Sequence, residues 1–195
     1  LQDQGAWPKA LEESVRAANL PVSGMDSAYV RLSASGLYWR LGRRQEAEKS
    51  VSTVEQLIQI NKNPQVLSML RLQQAEIAYT EGRFEKAKAH ARMAIAAVPA
   101  SGDESEPDAK LIEALACIRT TDKNKGIQAA LQIVQELDIS KQLGHAASAR
   151  LSVAEALASI NENSLAKKQA LEALTFFERR NIWESVFRCH AIAAR

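Results

Sequence analysis

The amino-acid sequence predicts an all-α chain, a solenoid of about five antiparallel helix pairs, and three observations carry that prediction. The stretch Leu67 to Pro99, LSMLRLQQAEIAYTEGRFEKAKAHARMAIAAVP, reads as two helices and a turn. Leu70, Gln74, Ala75, Ala78 and Tyr79 fall at helical spacing, Gly82 breaks the pattern, and Phe84, Ala87, Ala91, Ala94, Ile95 and Val98 form a second series that ends at Pro99. Turn signals then recur at intervals of 36 to 43 residues at Gly5, Gly42, Gly82, Lys125 and Asn161, each followed five residues later by alanine: Ala10, Ala47, Ala87, Ala130 and Ala166. Finally, aromatics make up only 5% of the chain while alanine is abundant, a composition suited to close helix–helix contact.

Taken in order, Gly5 to Leu11 opens with a turn signal, with Pro8 in a first-turn position, and a helix follows to about Ala18. NLPVSGMD, Asn19 to Asp26, is a loop whose Asp26 or Ser27 caps a helix to about Leu41. Gly42 ends it, and Arg44 to Ile60 returns with Ala47, Val51, Val54 and Ile58 on one stripe. Asn61 to Pro64 breaks the chain before the helix Leu67 to Glu81 and its partner from Phe84. SGDESEPD is the most loop-like segment, and Asp103, Glu104, Glu106 and Asp108 do not have EF-hand spacing, so a solvated linker is expected. Asp108 is expected to cap a helix to Thr121, and Asp122 to Gly126 to turn into a helix Ile127 to Leu137. A break from Asp138 to Gly144 precedes a helix from His145 to about Ile160. Ser164 is the expected cap for Leu165 to Arg179, and Asn181 turns the chain into a helix from Trp183.

The physical requirement behind the alanine positions is geometric, because one helix pair stacks on the next only where small side chains let the backbones approach. At these residues the chain resembles the tetratricopeptide repeat family. Ala75, Gly82, Phe84, Ala87, Ala94 and Pro99 match the family pattern, with Ala78 in place of its first aromatic and Tyr79 following. Ser35, Tyr38, Gly42 and Ala47 match in the preceding copy, where Arg44 and Val54 depart from it, and Ala154, Leu157, Asn161, Ala166 and Ala173 give a looser match. The spacings exceed the family's usual period of about 34 residues, which puts the additions in loops between pairs. Such expanded repeats are similar to helical arrays of bacterial signalling proteins and transcription activators. The resemblance implies one right-handed α-solenoid over residues 1–195, with incomplete terminal repeats, as a piece of a longer chain.

The sequence points away from catalysis. His90, His145 and His190 are too dispersed for a metal motif, and Cys117 and Cys189 have no CxxC neighbour. Cys189 and His190 are adjacent and so point about 100° apart on a helix, which does not make a dyad. No phosphate-cradling glycine loop or GxSxG elbow occurs, and neither a metal nor a cofactor is expected. The formal net charge is +2, with only isolated basic pairs at Arg43-Arg44, Lys167-Lys168 and Arg179-Arg180, so direct nucleic-acid binding is not expected. No apolar run has a membrane span's length. Two free thiols within helices fit a reducing compartment, and the expected location is the cytoplasm.

The resemblance further implies a concave face lined by first helices, where a peptide or partner helix can lie. It places Tyr29, Leu32, Gly36, Trp39 and Arg40 there, then Met69, Leu72, Gln73, Glu76 and Tyr79, then Ser148, Leu151, Ser152 and Glu155. Trp39 and Tyr79 are either anchors for a partner or packing in the groove wall. The family's two-carboxylate clamp is not carried over, since its places hold Leu32, Gly36, Gln73, Ile112 and Ala116. The expected function is a non-catalytic interaction scaffold; the alternative is a sensor domain holding a small effector in an apolar pocket among Trp39, Met69 and Leu72. The oligomeric state is left open.

Overall fold

The structure is a computed structural model that describes residues 7–19, 24–61, 63–98, 106–120 and 122–195. Ten helices and no strands occur among these residues: α1 (Trp7–Ala18), α2 (Gly24–Arg40), α3 (Arg44–Asn61), α4 (Pro64–Thr80), α5 (Phe84–Ala97), α6 (Glu106–Ile118), α7 (Lys123–Ile139), α8 (Leu143–Ala158), α9 (Asn163–Arg179) and α10 (Trp183–Ala193). Gly5, Pro99 and most of the acidic SGDESEPD segment lie outside the described residues, as does part of the Asn19 to Asp26 loop.

Five of the connections are built alike. Gly42, Gly82, Lys141, Asn161 and Asn181 all have positive φ, between 56° and 75°. In each, the following residue donates its N–H to a carbonyl five residues back: Arg43 to Tyr38 (2.8 Å), Arg83 to Ala78 (2.9 Å), Gln142 to Leu137, Glu162 to Leu157 and Ile182 to Phe177 (each 3.0 Å). This is the Schellman arrangement, which satisfies the last carbonyls of one helix while a left-handed residue reverses the chain. In four of the five turns the same donor residue is the N-cap of the next helix, with φ between −82° and −89° and ψ between 56° and 73°. One three-residue unit therefore ends a helix and starts its antiparallel partner.

Several boundaries differ from the sequence reading. Lys125, expected at a turn, lies in the first turns of α7, which begins at Lys123 rather than Ile127. Lys141 is the left-handed residue of the α7–α8 turn, inside the break expected from Asp138 to Gly144, and the described residues of the α6–α7 connection include no residue of positive φ. α4 begins at Pro64, three residues before Leu67, because Asn63 Oδ1 accepts the Val66 N–H at 3.1 Å and Pro64 needs no donor partner in the first turn. Asp108 sits inside the first turn of α6, where its charge complements the helix dipole, and Ser164 sits inside α9 rather than capping it.

The chain forms two compact units, one reaching Ala109 and the other running from Lys110 to Arg195, with the division inside α6. In the first, α2 packs on α3 and α4, and α4 on α5. Its core joins Ala28, Leu32, Val51, Val54, Ile58, Val66, Leu70 and Ile77, with a smaller cluster of Ala10, Leu11, Ala34 and Leu37 where α1 meets α2. In the second, α8 packs on α7, α9 and α10. The α8 segment buries Ala146, Ala147, Ala149, Ala154, Ala156 and Ala158 together with Leu151, Val153 and Leu157, so the backbones come close and few large side chains fill the space between them. At Gly126 of α7 the approach to α6 is closest: a β-carbon there would lie 2.6 Å from the Ile118 nitrogen and 2.7 Å from the Ala114 carbonyl oxygen.

Two polar clasps repeat the same relation between successive pairs, one in each unit. Trp39 Nε1–H donates to Thr80 Oγ1 at 2.8 Å, and Arg119 Nη1–H donates to Ser159 Oγ at 2.7 Å, spanning 41 and 40 residues. Each joins the C-terminal end of one helix to that of the helix two places on.

Candidate functional site

The groove residues expected in the first unit are brought together between α2 and α4, and most are engaged within the unit. Leu32 is 3% exposed and belongs to the core, which removes it from any contact surface. Tyr29 packs on that core and donates its hydroxyl to Gln65 Oε1 at 2.9 Å. Trp39 also packs there, holds the clasp to Thr80, and carries the Arg44 guanidinium 5.3 Å above its ring. Gly36 lets α4 approach: the Gln73 amide oxygen lies 3.0 Å from where a β-carbon would stand. Met69 packs on the core, Leu72 is half-buried, and the Tyr79 ring meets Phe84 edge-on at 5.5 Å. Trp39 and Tyr79 thus both make packing contacts and remain half-buried.

Arg40 is exposed, and it opposes a larger effect at Glu76. Burial pushes the half-buried Glu76 carboxyl up to about 7, the Arg40 charge pulls it down, and the Asp108 carboxylate adds to the rise. Its charge state therefore changes near neutrality.

The second-unit set is similarly committed. Leu151 is 3% exposed and lies in the core, Ser148 is exposed and Ser152 half-buried. Glu155 of α8 takes a two-pronged bond from Arg188 of α10, from Nε–H to Oε1 and Nη2–H to Oε2, each 2.8 Å. Beside it, Arg150 of α8 reaches Asp138 through both of that residue's carboxylate oxygens and Glu172 of α9 through Nε–H at 3.0 Å. The Arg150 guanidinium beside Asp138 holds that carboxyl below its usual value. These pairs tie α7, α8, α9 and α10 together and present no unpaired cluster.

Two features were not singled out by the sequence reading. On α10, Trp183 and Phe187 stand one turn apart and are 65% and 75% exposed. Their spacing was legible, since aromatics are rare here, but only packing shows that the face is open. In the first unit, Glu55, Ile58, Gln59, Leu67, Leu70 and Arg71 line an open crevice of about 370 Å³ between α3 and α4. It lies away from Trp39, Met69 and Leu72, where an effector pocket was expected.

Cys189 and His190 differ in environment. Cys189 is buried, its thiol pushed up to about 11 chiefly by that burial, while His190 is exposed. Among the described residues no group of three His, Cys, Asp or Glu could hold a metal ion, and no helix is long and apolar enough to cross a membrane. The chain matches no protein-family model, no curated protein and no solved structure.

Proposed function

We propose that the chain is a non-catalytic interaction module, a tetratricopeptide-like array within a cytoplasmic regulator or assembly, that takes a partner helix on the outer face of α10. The observation that carries this reading is the exposed pair Trp183 and Phe187. The turns at Lys141 and Asn181 make α10 the counterpart of α8, so Phe187 stands where α8 has Ala147. Ala147 is buried, whereas Phe187 is large, apolar and open. Every described element that covers an apolar face in this chain is a helix, and a partner helix is the matching occupant. Its flanks should be acidic, because Arg179 and Arg180 just before α10 and Arg195 just after it are exposed, while Glu184 already faces Arg188.

The test is fluorescence anisotropy with a labelled synthetic amphipathic helix carrying leucines on one face and glutamates on its flanks. Trp183→Ala with Phe187→Ala should weaken binding about tenfold or more with unchanged helicity, whereas Tyr79→Ala should not. Unchanged binding by the double variant counts against the assignment. So does sedimentation showing that the face closes on a second copy of the chain.

The effector-sensor reading is favoured by a different observation, the α3–α4 crevice, which is large enough for a small molecule.

A further inference from the structure

The α3–α4 crevice is lined by apolar side chains and by two opposite charges that share the Gln74 amide. Ile58, Leu67 and Leu70 supply the floor. At the rim, Arg71 Nη1–H donates to Gln74 Oε1 at 2.7 Å, and Gln74 Nε2–H donates to Glu55 Oε1 at 2.7 Å. The Gln74 amide thus stands between the guanidinium and the carboxylate and keeps them from collapsing onto each other. A guanidinium has five N–H donors, and among the described residues one is used here. A carboxylate has two oxygens, and among the described residues one is used. Both charged groups therefore face the crevice with bonding capacity left over, on part-buried side chains where a charge-assisted bond is strong.

We propose that this crevice is a binding site for a small zwitterion with an apolar side chain, the class to which free aliphatic and aromatic α-amino acids belong. The ligand carboxylate accepts from Arg71, its ammonium donates to Glu55, and its side chain lies on Ile58, Leu67 and Leu70. A guanidinium and a carboxylate joined through one amide offer a partner for each end of a zwitterion. The crevice volume of about 370 Å³ accommodates a leucine or phenylalanine with water at its open side. The site is separate from the α10 face, and either assignment stands without the other.

Amide chemical shifts of the full chain, followed by NMR during titration with L-leucine and L-phenylalanine, test the proposal. The shifts should concentrate at Glu55, Leu67, Leu70 and Arg71, with a Kd of about 1 mM, the range open to so small a ligand. N-acetyl-leucine lacks the ammonium and leucinamide lacks the carboxylate, and each should bind about tenfold more weakly or worse. Arg71→Gln should lose the discrimination against leucinamide, and Glu55→Gln that against N-acetyl-leucine, with helicity unchanged in both. Binding of either blocked compound as tightly as leucine overturns the proposal. An absence of shifts with both amino acids at about 20 mM overturns it too.

Discussion

Burial raises the Glu76 carboxyl to about 7 against the pull of Arg40, and this links folding to pH. The unfolded chain titrates this group near pH 4.3. A raised folded value means that the native state binds the proton more tightly, so stability is greatest below the unfolded value and declines as pH rises toward the folded one. Urea unfolding of the parent should therefore show a loss on the order of 2 kcal/mol from this group between pH 5 and pH 8, part of the shift being screened by solvent. Glu76→Gln should remove that loss, and an equal pH slope in the two proteins would contradict it. Lys141 presents a backbone cost instead. Its φ of 59° crowds the β-carbon, a cost glycine does not bear. Lys141→Gly should raise stability by about 0.5–1 kcal/mol in the same assay, with a smaller gain for Asn161→Gly, since asparagine tolerates that conformation better.

At the scale of the element, the turn rather than the helix is what recurs. Gly42 and Gly82 were legible because glycine marks a left-handed reversal, and Asn161 and Asn181 because asparagine does so less strongly. The break around Lys141 was legible as Asp138 to Gly144, but its left-handed residue was not, since nothing in a lysine signals positive φ. Gly126 shows the converse. Its glycine reads as a turn signal in sequence, yet it lies inside α7 because a side chain there would strike the α6 backbone. Alanine has the better helix propensity by about 1 kcal/mol, but the contact is with main-chain atoms that cannot rotate away. Gly126→Ala should therefore destabilise the protein by about 2 kcal/mol, as measured by thermal or urea unfolding. A neutral result would mean that α6 and α7 can separate at no cost. The groove residues divide along similar lines. Trp39 and Tyr79 fall in α2 and α4 as their spacing indicates, but spacing does not say that Thr80 and Arg44 would engage the one and Phe84 the other.

For the whole molecule, the division inside α6 sets how local damage spreads. Helix contacts within each unit are mostly with near neighbours in the chain, so each unit is expected to open at its own free energy. In hydrogen exchange on the full chain, Gly126→Ala should lower amide protection in α7, α8 and α9 far more than in α4 and α5. A uniform loss would show a single cooperative unit.

The amino-acid sequence by itself determined that the described chain is helical, roughly where the helices lie, and that alanines form the close contacts. These follow from periodicity, turn chemistry and side-chain size, which are local properties. Tertiary structure decided which side chains remain available. Leu32 and Leu151 share helix faces with exposed residues but are enclosed by neighbouring helices, while Trp183 and Phe187, apolar enough for any core, meet none. It also decided that Glu55 and Arg71, on different helices, sit either side of the Gln74 amide over one apolar floor. Burial and charge pairing depend on what lies across space from a residue, and chain spacing specifies only what lies beside it.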